Sequence, residues 1–361
     1  MTRIPSSIIR RAVAAGLAAG LAACASSPAA AFHDGGVAAC GACHITHEGT
    51  ADPVLLPGGE PLLVAATPTD VCLTCHGAPL GVFGQNPLLP PPERGAGNFV
   101  FLLEDNLNDA AGGALSPIHG EAAGHSIVSM DQGTSPDSRW ATAPGGTFPS
   151  ASLGCTSCHD PHGNASFRML NGVGPVQSGL YQFTYAAPDA EGLDVGDPLA
   201  VESWDTHTAY RNGMNQWCAN CHGMYHDRPR GISGFEHPSH EALGGSERLQ
   251  YNRYAGADNP TGGVAATAYL PVVPFESPAA TIDATAGPAG SAFPMCLTCH
   301  RAHASSAPAS GRWDFRVARL NDDGAASGSW AIPNPYGAPG EGQLCVKCHV
   351  GGAPDTPQIQ D

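Results

Sequence analysis

The chain opens with one long apolar run, AVAAGLAAGLAA, set behind the basic stretch MTRIPSSIIRR. A charged start and an apolar run of this length predict a secretory signal peptide, and the run is too short for a comfortable membrane-spanning helix. Beyond it the apolar and polar positions alternate irregularly and are interrupted at short intervals. Glycine (46 residues) and proline (33) make up 22 % of the 361 positions and recur in PVLLPGGEPLL, NPLLPPPERGAG, TAPGGTFP and IPNPYGAPGEG. Proline breaks helices and glycine weakens them, so long amphipathic patterns are rare. The pattern predicts mostly coil and turns with short helices and little β structure. No later stretch offers 18 uninterrupted apolar residues.

Such a composition alone would point to disorder. The cysteines change that. Cys-x-x-Cys-His occurs six times: Cys40 and Cys43 before His44, Cys72 and Cys75 before His76, Cys155 and Cys158 before His159, Cys218 and Cys221 before His222, Cys296 and Cys299 before His300, and Cys345 and Cys348 before His349. Twelve of the 13 cysteines are used, and Cys24 is left over. This is the attachment sequence of c-type haem: two thiols add to the two vinyl groups of one haem, and the histidine is the proximal iron ligand. Half of a zinc site or a disulfide pair would also supply Cys-x-x-Cys. With 16 histidines in 361 residues, all six pairs would be followed by histidine by chance with probability on the order of 10⁻⁸, which sets both alternatives aside.

Six haems c per chain supply the apolar bodies that the sequence lacks. The expected fold is a multihaem cytochrome c, mostly coil and turns with short helices wrapped around a row of six haems. At about 55 residues per haem, no separate protein core is expected beside the cofactors. The motif starts are 32, 83, 63, 78 and 49 residues apart, so no fixed repeat and no solenoid follows. We expect a signal peptide over 1–31 and a single six-haem domain over 32–361. Leu21-Ala22-Ala23-Cys24 reads as a lipobox, whereas Ala29-Ala30-Ala31 before Phe32 fits ordinary signal cleavage. Cleavage after Ala31 leaves only motif cysteines and favours Phe32 as the mature start; a lipid anchor at Cys24 is the alternative.

Charge narrows the partners. There are 16 basic and 32 acidic residues, so the basic footprint of a nucleic-acid binder is absent. Lys347 is the only lysine. Charged residues total 13 %, which is low for a soluble surface. Either the surface is rich in Ser, Thr, Asn and Gly, or part of it is buried against other copies of the chain.

Ten histidines lie outside the motif positions. The odd motifs continue as CHITH, CHDPH and CHRAH, which places His47, His162 and His303 three residues past the motif histidine; the even motifs continue as CHGAP, CHGMY and CHVGG. A histidine at this spacing cannot reach round to the far side of its own haem, but it can ligate a neighbour. Three two-haem units would result, with His162 on the first haem and His303 on the third. His47 then lacks a haem in its own chain and the fifth haem lacks a ligand. A head-to-tail neighbour resolves both, and such a heterologous contact closes into a ring or runs on as a filament. The alternative is that these histidines hydrogen-bond to haem propionates. Two histidines on each iron close it to substrates and favour electron transfer over catalysis, so no enzyme is expected. A multihaem reductase would need an open iron.

The segments FHDGGVAACGACHITH, TAPGGTFPSASLGCTSCHDPHG, GMNQWCANCH, CLTCHRAHAS and LCVKCH resemble those of the OmcS-like hexahaem c-type cytochromes, the family of extracellular cytochrome filaments or nanowires. The resemblance runs from Phe32 nearly to the C-terminus. It implies six bis-histidine haems held largely in coil, stacked alternately parallel and T-shaped, with His47 ligating a haem of the adjacent subunit. It also implies maturation at Phe32, secretion to the cell surface, outer-membrane electron-transfer partners and extracellular acceptors such as metal oxides. By the same resemblance His125 is assigned to the second haem and His237 to the fourth, with His33 for the remaining position and His119 or His226 as alternatives. His207 and His240 are expected at the surface. The competing functional reading is a monomeric carrier, periplasmic or lipid-anchored.

Overall fold

The structure is a computed structural model and describes residues 40–45, 63–77, 81–83, 95–106, 120–192, 203, 207–226, 239, 241–315, 319–320, 334–337 and 341–350. The signal segment, Cys24, His33, His47, His119, His237 and His240 lie outside the described residues.

The helices are short. They are α1 (Pro68–His76), α2 (Gly120–Ala123), α3 (Cys155–Cys158), α4 (Met214–His226), α5 (Gly245–Arg253) and α6 (Cys296–Cys299). Two small antiparallel pairs make up the named strands: β1 (Gly174–Val176) with β2 (Tyr181–Phe183), and β3 (Asp189–Glu191) with β4 (Ala209–Asn212). Everything else described is turn, 3₁₀ helix, isolated β-bridge or coil, as the Gly/Pro punctuation predicts. No helix among the described residues is long and apolar enough to cross a membrane.

Local chemistry explains where the helices start. Thr67 caps α1: its hydroxyl oxygen accepts the Asp70 N–H at 3.1 Å, and Pro68 occupies the first helical position, where a missing N–H costs nothing. The Asp70 carboxylate also accepts the Ser129 hydroxyl, which ties the loop before the third motif onto the helix that carries the second. At α4 the buried carboxylate of Glu276 accepts the Met214 N–H at 3.1 Å, satisfying an orphan donor of the first turn. The helix then breaks at His222 (φ −117°, ψ 42°).

Apolar side chains gather in patches along the row of motifs. Leu73, Phe83, Phe99, Phe101 and Ile127 cluster beside the second motif. Tyr210, Met214, Met295 and Leu297 lie between the fourth and fifth. The largest patch, with Tyr251, Tyr269, Leu270, Phe275, Trp313 and Leu344 at its centre, has Cys299, Cys345 and Cys348 at its margin. The expectation of no protein core beside the cofactors is therefore corrected. Residues 241–293 carry enough aromatic side chains to bury one another, and Tyr251 satisfies its hydroxyl inside the cluster by donating to the Val273 carbonyl at 2.8 Å.

Candidate functional site

The third and fifth motifs fold alike. In each, the two cysteines bound a single helical turn, α3 or α6. The backbone N–H before the turn is taken up by a hydroxyl three residues on, Gly154 by Ser157 and Met295 by Thr298, both at 2.9 Å. His159 and His300 leave the turn in extended conformation and bridge to Leu170 and Gly311. The Nδ1 of each lies 2.8 Å from the carbonyl nine residues further on, that of Arg168 or Ala309. Asn171 N–H then returns to the Cys158 carbonyl, and Arg312 N–H to that of Cys299. In both loops the carbonyl is presented by two consecutive non-glycine residues in the left-handed region: Arg168 and Met169 (φ 51° and 54°), and Ala309 and Ser310 (57° and 54°). Such residues cost conformational energy and persist where surrounding contacts over-determine them. The first motif keeps the pattern with a longer loop, bridging His44 to Leu63 and returning the Val64 N–H to the Cys43 carbonyl.

The even motifs differ. The second and fourth lie inside α1 and α4, and the sixth runs through a 3₁₀ turn at Leu344–Lys347. His222 finds its carbonyl in a distant hairpin, Pro144 O at 2.7 Å from Nδ1. The approach is tight: a Cβ on Gly146 would stand 1.7 Å from the Cys221 carbonyl oxygen. A neutral imidazole that donates Nδ1–H to a carbonyl presents its Nε2 lone pair to a metal. On that hydrogen-bond pattern we assign the tautomer of His159, His222 and His300.

Two further histidines face motif histidines. His44 and His162 have ring centroids 6.3 Å apart and planes 2° from parallel. His125 and His222 are 5.9 Å apart at 47°. With imidazole–metal bonds of about 2 Å on either side, two rings sharing one metal place their centroids about 6 Å apart. His125 also donates Nδ1–H to the Ala302 carbonyl at 2.7 Å, and its backbone N–H goes to the His303 carbonyl. Burial pulls His125 down to about 4 and His303 to about 3, so both rings are neutral, the form that binds a metal. His303 lies within electrostatic reach of His159.

The structure sets the His125 ring beside His222 of the fourth motif, where the family resemblance had placed it at the second. The segment through Gly124 and Ala304 pairs so closely that a Cβ on Gly124 would meet the His303 carbonyl at 2.3 Å, and the His125 ring follows that segment to His222. His207 is not at the surface: it is 1 % exposed and stacks on Tyr269 at 3.8 Å. His226 closes α4 beside the Tyr185 ring.

The cysteines show how the motifs follow one another. The thiols of Cys72 and Cys155 hydrogen-bond to each other, as do those of Cys218 and Cys296. Burial raises Cys43, with Cys72 and Cys75 adding to the shift. Cys221 is raised to about 12 by burial and by Cys158. Burial raises Cys299, and Cys345 and Cys348 act on it next. Each motif therefore lies within hydrogen-bonding or electrostatic reach of the next in sequence order, and the six follow one another in a row. The 11 motif cysteines from Cys43 to Cys348 are free of disulfides.

Residues 31–79 match the family described as the doubled CXXCH motif. Over 420 aligned residues, 90 % of this chain and 95 % of the other, the sequence is 30 % identical to C-type cytochrome OmcS of Geobacter sulfurreducens. The chain belongs to the OmcS family of c-type cytochromes. Its fold is that of the OmcS filament subunit. A solved structure described as the outer membrane cytochrome S filament from Geobacter sulfurreducens matches with TM-score 0.64 and 27 % identity, over 80 % of this chain and 86 % of that one. A cryo-EM structure of the OmcS nanowires from the same organism matches with TM-score 0.69 and 25 % identity, over 88 % and 99 %. As in any c-type cytochrome, the cofactor of an OmcS-family chain is haem c, and the paired cysteines with Nε2-presenting histidines fit it.

One feature of this OmcS-family chain carries no motif signature. Lys347, inside CVKCH, is 2 % exposed. Its ammonium donates to the Tyr254 carbonyl at 2.8 Å and lies 4.7 Å from the Tyr251 ring centroid and 5.9 Å from that of Tyr336. Burial pulls it down to about 8.

Proposed function

We propose that the chain is an extracellular electron-transfer protein carrying six covalently attached haems c, one per motif, and that it works as a subunit of a head-to-tail filament. The row of six motifs, each within hydrogen-bonding or electrostatic reach of the next, carries this reading. A row of this kind passes electrons along its length when the irons are closely spaced. The bound haem supplies the redox change between ferric and ferrous iron. The chain supplies spacing, axial ligands and the hydrogen bonds that tune them.

The six motif histidines are the proximal ligands. His162 completes the first site, His303 the third and His125 the fourth. His237 and His33 remain for the second and sixth. His47 of a neighbouring subunit completes the fifth, where the His300 ring meets Phe315 edge-on with centroids 5.5 Å apart. With both axial positions filled no iron is open to substrate, so the polypeptide transforms none. The signal over 1–31 is removed, residues 32–361 form one domain, and the mature chain is exported. Outer-membrane donors and extracellular oxidants such as metal oxides are the partners at the two ends.

Haem stoichiometry and spin state test this reading. The secreted protein should carry six haems per chain, all low-spin, and His47→Ala should abolish filaments and turn one haem per chain high-spin. A dispersed monomer with six low-spin haems would instead favour the monomeric carrier.

A further inference from the structure

The chain's only lysine is spent in its interior. Lys347 lies between the two cysteines of the sixth motif, enclosed by the Tyr254 carbonyl and the faces of Tyr251 and Tyr336. Removing an ammonium from water is costly, and replacing a buried charge by an apolar side chain of similar size is often neutral or stabilising. Packing alone therefore does not call for lysine here. Two aromatic faces and one carbonyl hold the charge without neutralising it. The buried carboxylate of Glu341 is engaged elsewhere, by the Tyr254 hydroxyl and the Ala257 N–H. Of the charged side chains acting on Cys348, Lys347 has the stronger hold and Glu247, of opposite sign, the weaker.

We propose that Lys347 is a built-in positive charge that raises the reduction potential of the sixth haem. This rests on the reading that the sixth motif carries a haem. Oxidation of a haem iron adds one positive charge to the macrocycle core, and a fixed cation beside its thioether edge opposes that step. The reduced form is favoured, so electrons are held preferentially at the sixth-motif end of each subunit. Lys347 acts through its field, which makes it a tuning residue.

The test is an optical redox titration of the full-length haem-loaded protein in mildly acidic buffer, with haem content measured first in every variant. Lys347→Gln can keep a donor to the Tyr254 carbonyl but loses the charge; Lys347→Met loses both; Lys347→Arg keeps the charge. In the Gln and Met variants, one sixth of the absorbance change should move to lower potential and the rest should stay, while the Arg variant should titrate like the parent. An unmoved titration in Lys347→Gln, or an equal shift in the Arg variant, overturns the proposal. If Lys347→Met fails to load haem, the Gln and Arg pair still decides it. A parent protein with five haems would instead remove the reading on which the proposal stands.

Discussion

The rings of His44 and His162 lie parallel within 2°, with centroids 6.3 Å apart. The two residues are 118 positions apart in sequence, and one belongs to a haem motif while the other follows a different one. That separation is the one two imidazoles adopt across a shared metal. Asp160 lies 3.7 Å from the Nδ1 of His162. Replacing His162 by alanine should therefore convert one haem in six to high spin and leave filament assembly through His47 untouched. An unchanged low-spin electron paramagnetic resonance spectrum would remove His162 from the ligand set.

His125 should act on the fourth haem and not the second. A cryo-EM map of His125→Ala should show the His222 iron without its second imidazole while the His76 iron keeps both. The reverse pattern would restore the assignment drawn from the family resemblance.

Gly146 is one of the contacts through which the 141–150 hairpin reaches the fourth motif. Alanine there places a Cβ against the Cys221 carbonyl, and relieving that overlap moves Pro144 away from His222. Overpacking of this kind costs about 1–3 kcal/mol, so thermal unfolding should occur at lower temperature. Loss of the Nδ1–H···O bond makes the imidazole a weaker donor, so one haem potential should rise at the same time. An undisturbed unfolding curve would show that the hairpin yields without cost.

Lys347 also carries a stability signature. Its folded-state value of about 8 lies below its ordinary 10.5. Between these two values the unfolded chain binds more protons than the native one, so native stability should rise with pH across that window. Below it the lysine is charged in both states and its burial is a constant cost. Lys347→Met should lack this rise and should be as stable as the parent, or more stable by about 1–4 kcal/mol, at neutral pH. Denaturant unfolding at several pH values checks both. A Met variant clearly less stable at neutral pH would mean that the lysine is there for its contacts.

Much of this arrangement is legible in the sequence because covalent attachment leaves a strict signature. Six Cys-x-x-Cys-His motifs announce their chemistry without reference to tertiary structure, and Gly/Pro punctuation announces short elements. The alternation of odd and even motifs was readable too, from the histidine at the third position beyond His44, His159 and His300. The structure gives that alternation a second meaning: the third and fifth motifs, and in outline the first, end in an extended bridge, whereas the second and fourth stay helical. The partner of His125 could not be read from spacing, because it depends on how the 124–125 segment lies along 302–304. The burial of His207 and the enclosure of Lys347 were equally hidden. Both depend on aromatic residues, Tyr269 for one and Tyr251 and Tyr336 for the other, that are distant in sequence and belong to no motif.

The most direct test of the account is a cryo-EM structure of the secreted, haem-loaded protein. The account predicts filaments in which six haems per subunit follow the order of the six motifs, with His47 of one subunit on the iron held by His300 of the next. Dispersed monomers, or filaments in which the iron held by His300 takes its second ligand from its own chain, would contradict it.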